Sequence, residues 1–240
     1  MNFFQKFAEE FKQNFIDEDR WMYLVKGLGT TLQITVLALI LGLILGFTVA
    51  IIRSTHDKVC TKKGGHFFLR LGNGICKVYL TIIRGTPTMV QLLIINYIIF
   101  ASANIPAWIV GSIAFGINSG AYIAEIVRGG ILSVNIGQTE AGRSLGMTPK
   151  QTMISIVMPQ AMKNILPALG NEFVVLIKET AVVGMVSNID LVGAARKVQS
   201  LTYDYLVPLL SIAVIYYVVI KIISTFLSKL EKGMRKADKR

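Results

Sequence analysis

Long uncharged stretches dominate the chain and predict helices that cross a membrane. Residues 28–52 contain no charged side chain, and at about 1.5 Å a residue this stretch spans the roughly 30 Å of a hydrocarbon core. Residues 85–124 are also uncharged, but they exceed one span, and the proline-containing stretch 101–106 divides them. The pattern therefore predicts an all-α membrane protein with five transmembrane helices. The predicted spans are 28–52, 74–100, 106–132, 166–186 and 206–227.

The two ends of the chain differ from this apolar centre. Near the start, Phe3, Phe7, Phe11 and Phe15 recur at every fourth position among polar residues, which is the period of an amphipathic helix. An aromatic stripe of this kind is typical of helices in the membrane interface. We therefore divide the chain into an amphipathic N-terminal segment (1–26), a transmembrane domain (27–228) and a basic cytoplasmic tail (229–240).

Composition excludes two other classes of protein. Hydrophobic residues make up 53% of the 240 residues and charged residues only 16%, with a mean hydropathy of +0.57, whereas soluble domains carry about a quarter charged residues. This much apolar surface also excludes a disordered chain. The net charge of +11 would suit a nucleic-acid-binding protein only as a basic face on a soluble domain, and here the basic residues lie between apolar stretches.

The charges of the connecting segments predict how the chain is oriented. Segments 53–70, 133–164 and 221–240 carry net charges of +4, +2 and +5, whereas 1–20 and 187–205 carry −2 and zero. With five spans, the three basic segments fall on one side of the membrane, and basic loops mark the cytoplasmic side. We therefore expect the N-terminus outside and the C-terminus in the cytoplasm.

Enzyme chemistry has no recognisable set of residues in this sequence. There is no P-loop, no HExxH motif, no nucleophile elbow and no cluster of cysteine and histidine. Cys60 and Cys76 do not form a CxxC pair, and we interpret both as structural thiols. The sequence thus predicts no catalytic residue, no metal site and no cofactor.

The polar segment 133–164, which lies between two predicted spans, carries an ordered motif. Nine residues separate its two halves, which read Glu140-Ala141-Gly142-Arg143-Ser144-Leu145-Gly146 and Ile156-Val157-Met158-Pro159. This resembles the EAA loop of ABC-transporter permease subunits, E-A-A-x3-G-x9-I-x-L-P. Gly142 replaces the second alanine and Met158 replaces the leucine. With glycine at that position, the motif resembles that of the polar amino acid uptake branch of the family.

Three further motifs resemble the same branch. They are Arg84-Gly85-Thr86-Pro87 with Val90-Gln91, Asn118-Ser119-Gly120-Ala121-Tyr122 with Ala124-Glu125, and Leu166-Pro167 with Gly170-Asn171. The resemblance covers about residues 27–228, which is nearly the whole chain outside its ends.

The resemblance implies a fold and a set of partners. The fold is that of a type I ABC importer permease, a multi-pass protein of the bacterial inner or plasma membrane. The implied assembly contains a second permease subunit (a second copy or a similar chain), two cytoplasmic ATP-binding subunits and an extracytoplasmic solute-binding protein, and it carries an amino acid. ATP would be bound by the partner subunits, so the chain itself is a transport subunit and no enzyme.

The same motif implies which residues couple the permease to the ATPase: Glu140, Ala141, Gly142, Arg143, Leu145 and Gly146. Small residues there leave room for another protein to approach, and Gly146 suits the end of a short helix. Thr148 and Pro149 are typical of the N-cap and the first position of a second helix. Without the family resemblance, these features fit a helix-turn-helix that packs on itself as well as they fit a docking surface for an ATPase.

Polar residues inside the spans are the candidates for a substrate pathway: Thr86, Asn118, Ser119 and Glu172. Asn118 and Ser119 lie mid-span beside glycines, which allow backbone polar groups to face a cavity. Helix–helix hydrogen bonding explains the pair equally well. Glu172 is a charge within a span and should face water or a ligand.

Glu125 has two interpretations. It either pairs with Arg128 one turn away or contacts the substrate. For the whole chain, the rival functions are a membrane-embedded structural or assembly factor without transport activity and a secondary transporter. Secondary transporters usually contain internal repeats, and no repeat is apparent here.

Overall fold

The computed structural model describes residues 3–59, 67–187 and 190–237, and within these residues it contains helices and no β-strand. The all-α prediction is therefore confirmed, and Cys60 lies outside the described residues. The α-helices are α1 (Phe3–Phe11), α2 (Trp21–Val59), α3 (Phe67–Gly85), α4 (Thr88–Ile94), α5 (Ala107–Leu132), α6 (Ile136–Ser144), α7 (Pro149–Thr152), α8 (Met158–Glu179), α9 (Leu191–Thr202) and α10 (Leu206–Ala237). Single π-helical turns follow α1, α4 and α7, at Lys12–Ile16, Ile95–Ile99 and Met153–Val157.

Three helices of the described chain are long and apolar enough to cross a bilayer. They are α2, α5 and α10, and a fourth span results if the interrupted pair α3 and α4 is counted as one. The predicted span 166–186 lies in α8 and in the 3₁₀-helical stretch Thr180–Met185 that follows it. The predicted number of five spans remains a prediction.

The prediction of one continuous helix over 74–100 is wrong. α3 ends at Gly85, and α4 begins at Thr88 after Pro87, whose backbone is extended (φ −64°, ψ 133°). Proline disfavours the helical conformation at the residue before it, here Thr86, and it has no N–H to continue the hydrogen-bond ladder. The signal for this break is therefore local and present in the sequence.

The chain forms two compact units. Unit 1 comprises Met1–Ile40, Pro87–Gly116 and Val174–Ile223. Its core contains Phe15, Leu24, Leu191, Val198 and Val207, all at most 7% exposed. The predicted aromatic stripe is therefore divided, because Phe15 is a core residue whereas Phe7 and Phe11 are 36% and 43% exposed.

A buried polar cluster attaches the N-terminal segment within unit 1. The Asn14 side chain is completely buried; its amide donates to Asp204 Oδ2 at 2.6 Å and its carbonyl accepts from Thr202 Oγ1 at 2.7 Å. Because buried polar groups are costly unless they are paired, this cluster fixes the segment after α1 against the end of α9.

Unit 2 comprises Leu41–Thr86, Ile117–Phe173 and Ser224–Arg240. Its core joins α2, α3 and α5 through Val49, Cys76, Leu80, Ala121 and Ala124. Close approach of α2 and α5 depends on glycine: a β-carbon on Gly46 would lie 2.5 Å from Ile123 Cγ2. The candidate coupling and pathway residues all belong to this unit.

Candidate functional site

The segment 133–164 folds into two short helices that are fixed by side-chain hydrogen bonds within unit 2. Asn135 caps the start of α6, because its side chain accepts from the Gly137 N–H at 2.8 Å. Asn164 in α8 donates to Ser133 Oγ at 2.8 Å, and Gln160 donates to Gln138 Oε1 at 3.3 Å. These bonds hold α6 against α8, so the segment presents a defined surface.

Gly146 ends α6 in a left-handed conformation, with φ +81°. The N–H of Gly146 donates to the Arg143 carbonyl at 3.1 Å, and the N–H of Met147 donates to the Gly142 carbonyl at 3.2 Å. This pair of bonds is a Schellman motif, which favours glycine at the residue after the C-cap. The predicted role of Gly146 as the end of the short helix is confirmed.

A capping box begins the next helix. Thr148 accepts from the Gln151 N–H at 3.3 Å through its hydroxyl, and its own N–H donates to Gln151 Oε1 at 2.8 Å. Pro149 occupies the first helical position, where its missing N–H has no cost. The predicted N-cap at Thr148 is therefore confirmed.

The predicted coupling residues divide between the surface and the interior. Glu140, Ala141, Arg143, Leu145 and Gly146 are exposed. In contrast, Gly142 is buried.

The expectation that Gly142 leaves room for another protein is wrong. A β-carbon on Gly142 would lie 2.8 Å from Ile156 Cδ1 and 2.9 Å from Thr152 Cγ2. Its small size therefore serves packing within the segment.

Large apolar side chains on this segment face outward. Leu145 is 82% exposed and Ile136 is 74% exposed, so both ends of α6 carry an apolar side chain that contacts little of the described chain. Ile154, in the π-helical turn after α7, is 58% exposed. Since exposed apolar patches on an otherwise polar element mark interaction sites, this surface suits a protein partner.

Two of the predicted pathway residues meet. Ser119 in α5 is completely buried, and its hydroxyl donates to Glu172 Oε1 at 2.8 Å. Asn118 is 2% exposed beside it. Thr86 lies just after α3, where its hydroxyl donates to the Ile82 carbonyl at 2.8 Å.

The glycine between these positions has a packing role. The Tyr79 hydroxyl donates to the Ile117 carbonyl at 2.6 Å, and a β-carbon on Gly120 would lie 2.9 Å from the same hydroxyl. Tyr79 thus fills the space beside Gly120, and its hydroxyl satisfies the Ile117 carbonyl. The sequence had predicted that backbone polar groups beside these glycines face a cavity.

Sequence reasoning missed the main ion pairs of this unit. Glu125 lies 2.8 Å from Arg53 and 3.7 Å from Arg84, and Arg128 lies 3.9 Å from Asp57. The expected pair between Glu125 and Arg128 is therefore wrong. Because Arg53 and Glu125 are 72 residues apart, no local pattern points to their contact.

Comparison with known proteins supplies the family. The model of the family described as binding-protein-dependent transport system inner membrane component matches residues 66–236. A putative glutamine transport system permease protein, GlnP, of Rickettsia typhi is 38% identical over 217 residues, which cover 89% of this chain and 93% of GlnP. The arginine transport system permease protein ArtQ of Bacillus subtilis is 34% identical and is matched over 90% of this chain and 94% of ArtQ.

A solved structure agrees with these relatives. A chain from the crystal structure of an amino acid ABC transporter with histidines superposes with a TM-score of 0.80 at 40% identity, covering 91% of this chain and 98% of that one. Taken with the family match, this shows that the chain belongs to the inner membrane components of binding-protein-dependent transport systems, the ABC-transporter permease family that its motifs predict.

Proposed function

We propose that this protein is the membrane-spanning permease subunit of an ATP-driven importer for polar amino acids. Two permease subunits would form the pathway, two cytoplasmic ATPases would drive it, and an external solute-binding protein would deliver the amino acid. The names of the two relatives support the substrate class, since they describe glutamine and arginine transport.

The observation that carries the proposal is the fixed, exposed surface of α6. Capping at Asn135 and Gly146 and the side-chain bonds to α8 make α6 a rigid element, while Leu145 and Ile136 project from it. A rigid element with exposed apolar side chains transmits force from a docked partner better than a loose loop does, because packed elements move as units. We assign this surface to the ATPase.

The composition of the two units supports the proposed orientation. Unit 2 contains the basic segments 133–164 and 224–240 and the basic connection after α2, whereas unit 1 contains residues 1–20 and 187–205, which carry no net positive charge. The basic segments of unit 2 are those that the positive-inside rule assigns to the cytoplasm.

The pathway proposal centres on Ser119 and Glu172. A carboxylate in a spanning region is costly unless polar groups or water surround it, and the Ser119 hydroxyl at 2.8 Å provides one such group. The bond also sets the position of the Glu172 carboxylate. A carboxylate held in this way can bind the ammonium or guanidinium group of a substrate by a charge-assisted hydrogen bond. The other proposed pathway residues are Thr86, which is exposed, and Asn118, which is 2% exposed in the single chain.

The coupling surface is tested by changing Leu145 and Gly146 in the full chain expressed with its ATPase. Leu145→Ser removes an exposed apolar side chain, so we expect normal abundance in the membrane but reduced ATPase recovery with the tagged permease and reduced uptake. Gly146→Asp adds a negative charge to the surface at a left-handed position, a conformation that aspartate, like asparagine, can adopt. We expect it to abolish uptake while the protein remains in the membrane.

Two matched variants separate docking from folding. Phe68 is 83% exposed on α3, outside the segment, so Phe68→Ser removes a similarly exposed side chain and should leave ATPase recovery unchanged. Gly146→Asn retains the conformation, because asparagine tolerates positive φ, and should recover part of the coupling. Normal transport by both Leu145→Ser and Gly146→Asp would refute the assignment.

A further inference from the structure

A cavity of about 640 Å³ lies within unit 2 between α2, α3 and α5, and its charged lining is unbalanced. The charged residues that line it are Arg53, Lys77, Arg84 and Glu125. Three cations face one carboxylate, which leaves a net charge of +2. Polar Thr81 and the Tyr122 ring complete the wall.

The single carboxylate is already bound by two of the cations. Arg53 contacts Glu125 at 2.8 Å and Arg84 contacts the same carboxylate at 3.7 Å. The Arg84 guanidinium also lies 5.9 Å from the centre of the Tyr122 ring, within the range of a cation–π contact. The arginines are therefore held in place by contacts that leave positive charge in excess.

Hydrogen-bond donors remain in this lining. Arg53 Nε is buried and has no hydrogen-bond partner among the described residues. Lys77 forms no ion pair with any residue that the structure describes, and it is exposed to the cavity. With the Lys77 ammonium beside two arginines and only one carboxylate, the lining favours an anion with several acceptor oxygens.

We propose that this cavity binds the phosphate group of an anionic phospholipid. Basic pockets between transmembrane helices on the cytoplasmic side recognise lipid headgroups in this way, and the cavity belongs to the unit that contains the basic connections. Two of the lining helices, α2 and α5, are long and apolar enough to cross a bilayer, so a phospholipid is the carrier of phosphate that lies against them. An amino acid fits less well, because its ammonium group needs a carboxylate and Glu125 is held by two arginines.

The test measures lipid binding to the full-length protein, purified in detergent and stripped of lipid. Native mass spectrometry counts bound phosphatidylglycerol during a titration, with phosphatidylcholine, inorganic phosphate and glutamine as the other probes. We expect one tight phosphatidylglycerol per chain. Lys77→Gln should weaken its binding about tenfold, the size of one charge-assisted hydrogen bond, and Lys77→Arg should retain it.

Arg70→Gln is the matched control, because Arg70 is an exposed cation on the same helix, two turns earlier and outside the cavity. Loss of phosphatidylglycerol binding in Lys77→Gln alone supports the site. An equal loss in Arg70→Gln would mean unspecific attraction to a basic surface and would overturn it. Equal binding of inorganic phosphate would overturn the lipid as the source of the phosphate, and binding of glutamine that depends on Lys77 would assign the cavity to the transported solute instead.

Discussion

Glycines along α2 predict a graded series of stabilities that tests how this helix packs. A β-carbon on Gly46 would lie 2.7 Å from Ile123 Cβ and 3.0 Å from the Ala124 backbone nitrogen. At Gly42 the nearest atoms, Ser119 Cβ and Ile123 Cδ1, are both 3.2 Å away, and at Gly29 nothing lies within 4 Å. An added methyl group therefore meets backbone at Gly46, side-chain atoms at Gly42 and open space at Gly29.

The expected magnitudes follow from these distances. Gly29→Ala gains helix propensity and should stabilise the protein by up to about 1 kcal/mol. Gly46→Ala gains the same propensity but needs the backbone of α5 to move, and overpacking of this kind costs about 1–3 kcal/mol. Gly42→Ala should lie between the two, because contacts at 3.2 Å need the neighbours to shift by only a few tenths of an ångström.

Thermal unfolding of the purified variants in one detergent measures the series. At about 2–4 °C for each kcal/mol in a chain of this size, Gly46→Ala and Gly29→Ala should differ by several degrees, with Gly42→Ala between them. Equal unfolding temperatures for Gly46→Ala and Gly29→Ala would refute the close packing of α2 on α5 at Ile123.

Three further predictions concern the pathway, the orientation and the pH dependence of stability. Glu172→Gln should lower the uptake of a cationic amino acid at subsaturating concentration about tenfold, because each 1.4 kcal/mol is one decade, and should change the uptake of a neutral one less; equal small effects on both would make Glu172 structural. In a cysteine-free background, Ser200→Cys should react with an impermeant thiol reagent in intact cells and Lys150→Cys should not, and the reverse result would invert the predicted orientation. Burial raises the pKa of Asp190 at the start of α9 from 3.8 to about 6, so the folded protein holds this proton more tightly than the unfolded chain does. The protonated side chain therefore stabilises the folded state at pH 4. This contribution, on the order of 3 kcal/mol, is lost as pH rises through 6. Asp190→Asn should remove this part of the pH dependence, and unfolding temperatures at pH 4 and 7 that change in parallel for both proteins would contradict it.

The sequence alone predicted the features that depend on neighbouring residues. Long apolar stretches with few charged residues indicated α2, α5 and α10, since burial in lipid depends on the hydropathy of about 20 consecutive residues. The caps at Thr148 and Gly146 were predictable for the same reason, because each cap involves residues within five positions. The break at Pro87 was equally local, and the prediction of an unbroken helix neglected it.

Only the tertiary structure decided which distant residues meet. Glu125 had Arg128 within one turn, yet it binds Arg53, 72 residues away, because packing of α2 against α5 brings the guanidinium to 2.8 Å. Ser119 in α5 meets Glu172 in α8 across 53 residues, because α5 and α8 come together in the fold. Gly142 faces Thr152 and Ile156 rather than a partner because the turn after α6 folds the next helix back over it. The periodicity of a helix shows which residues share a face, but what that face contacts depends on how the helices pack, and packing is a property of the whole chain.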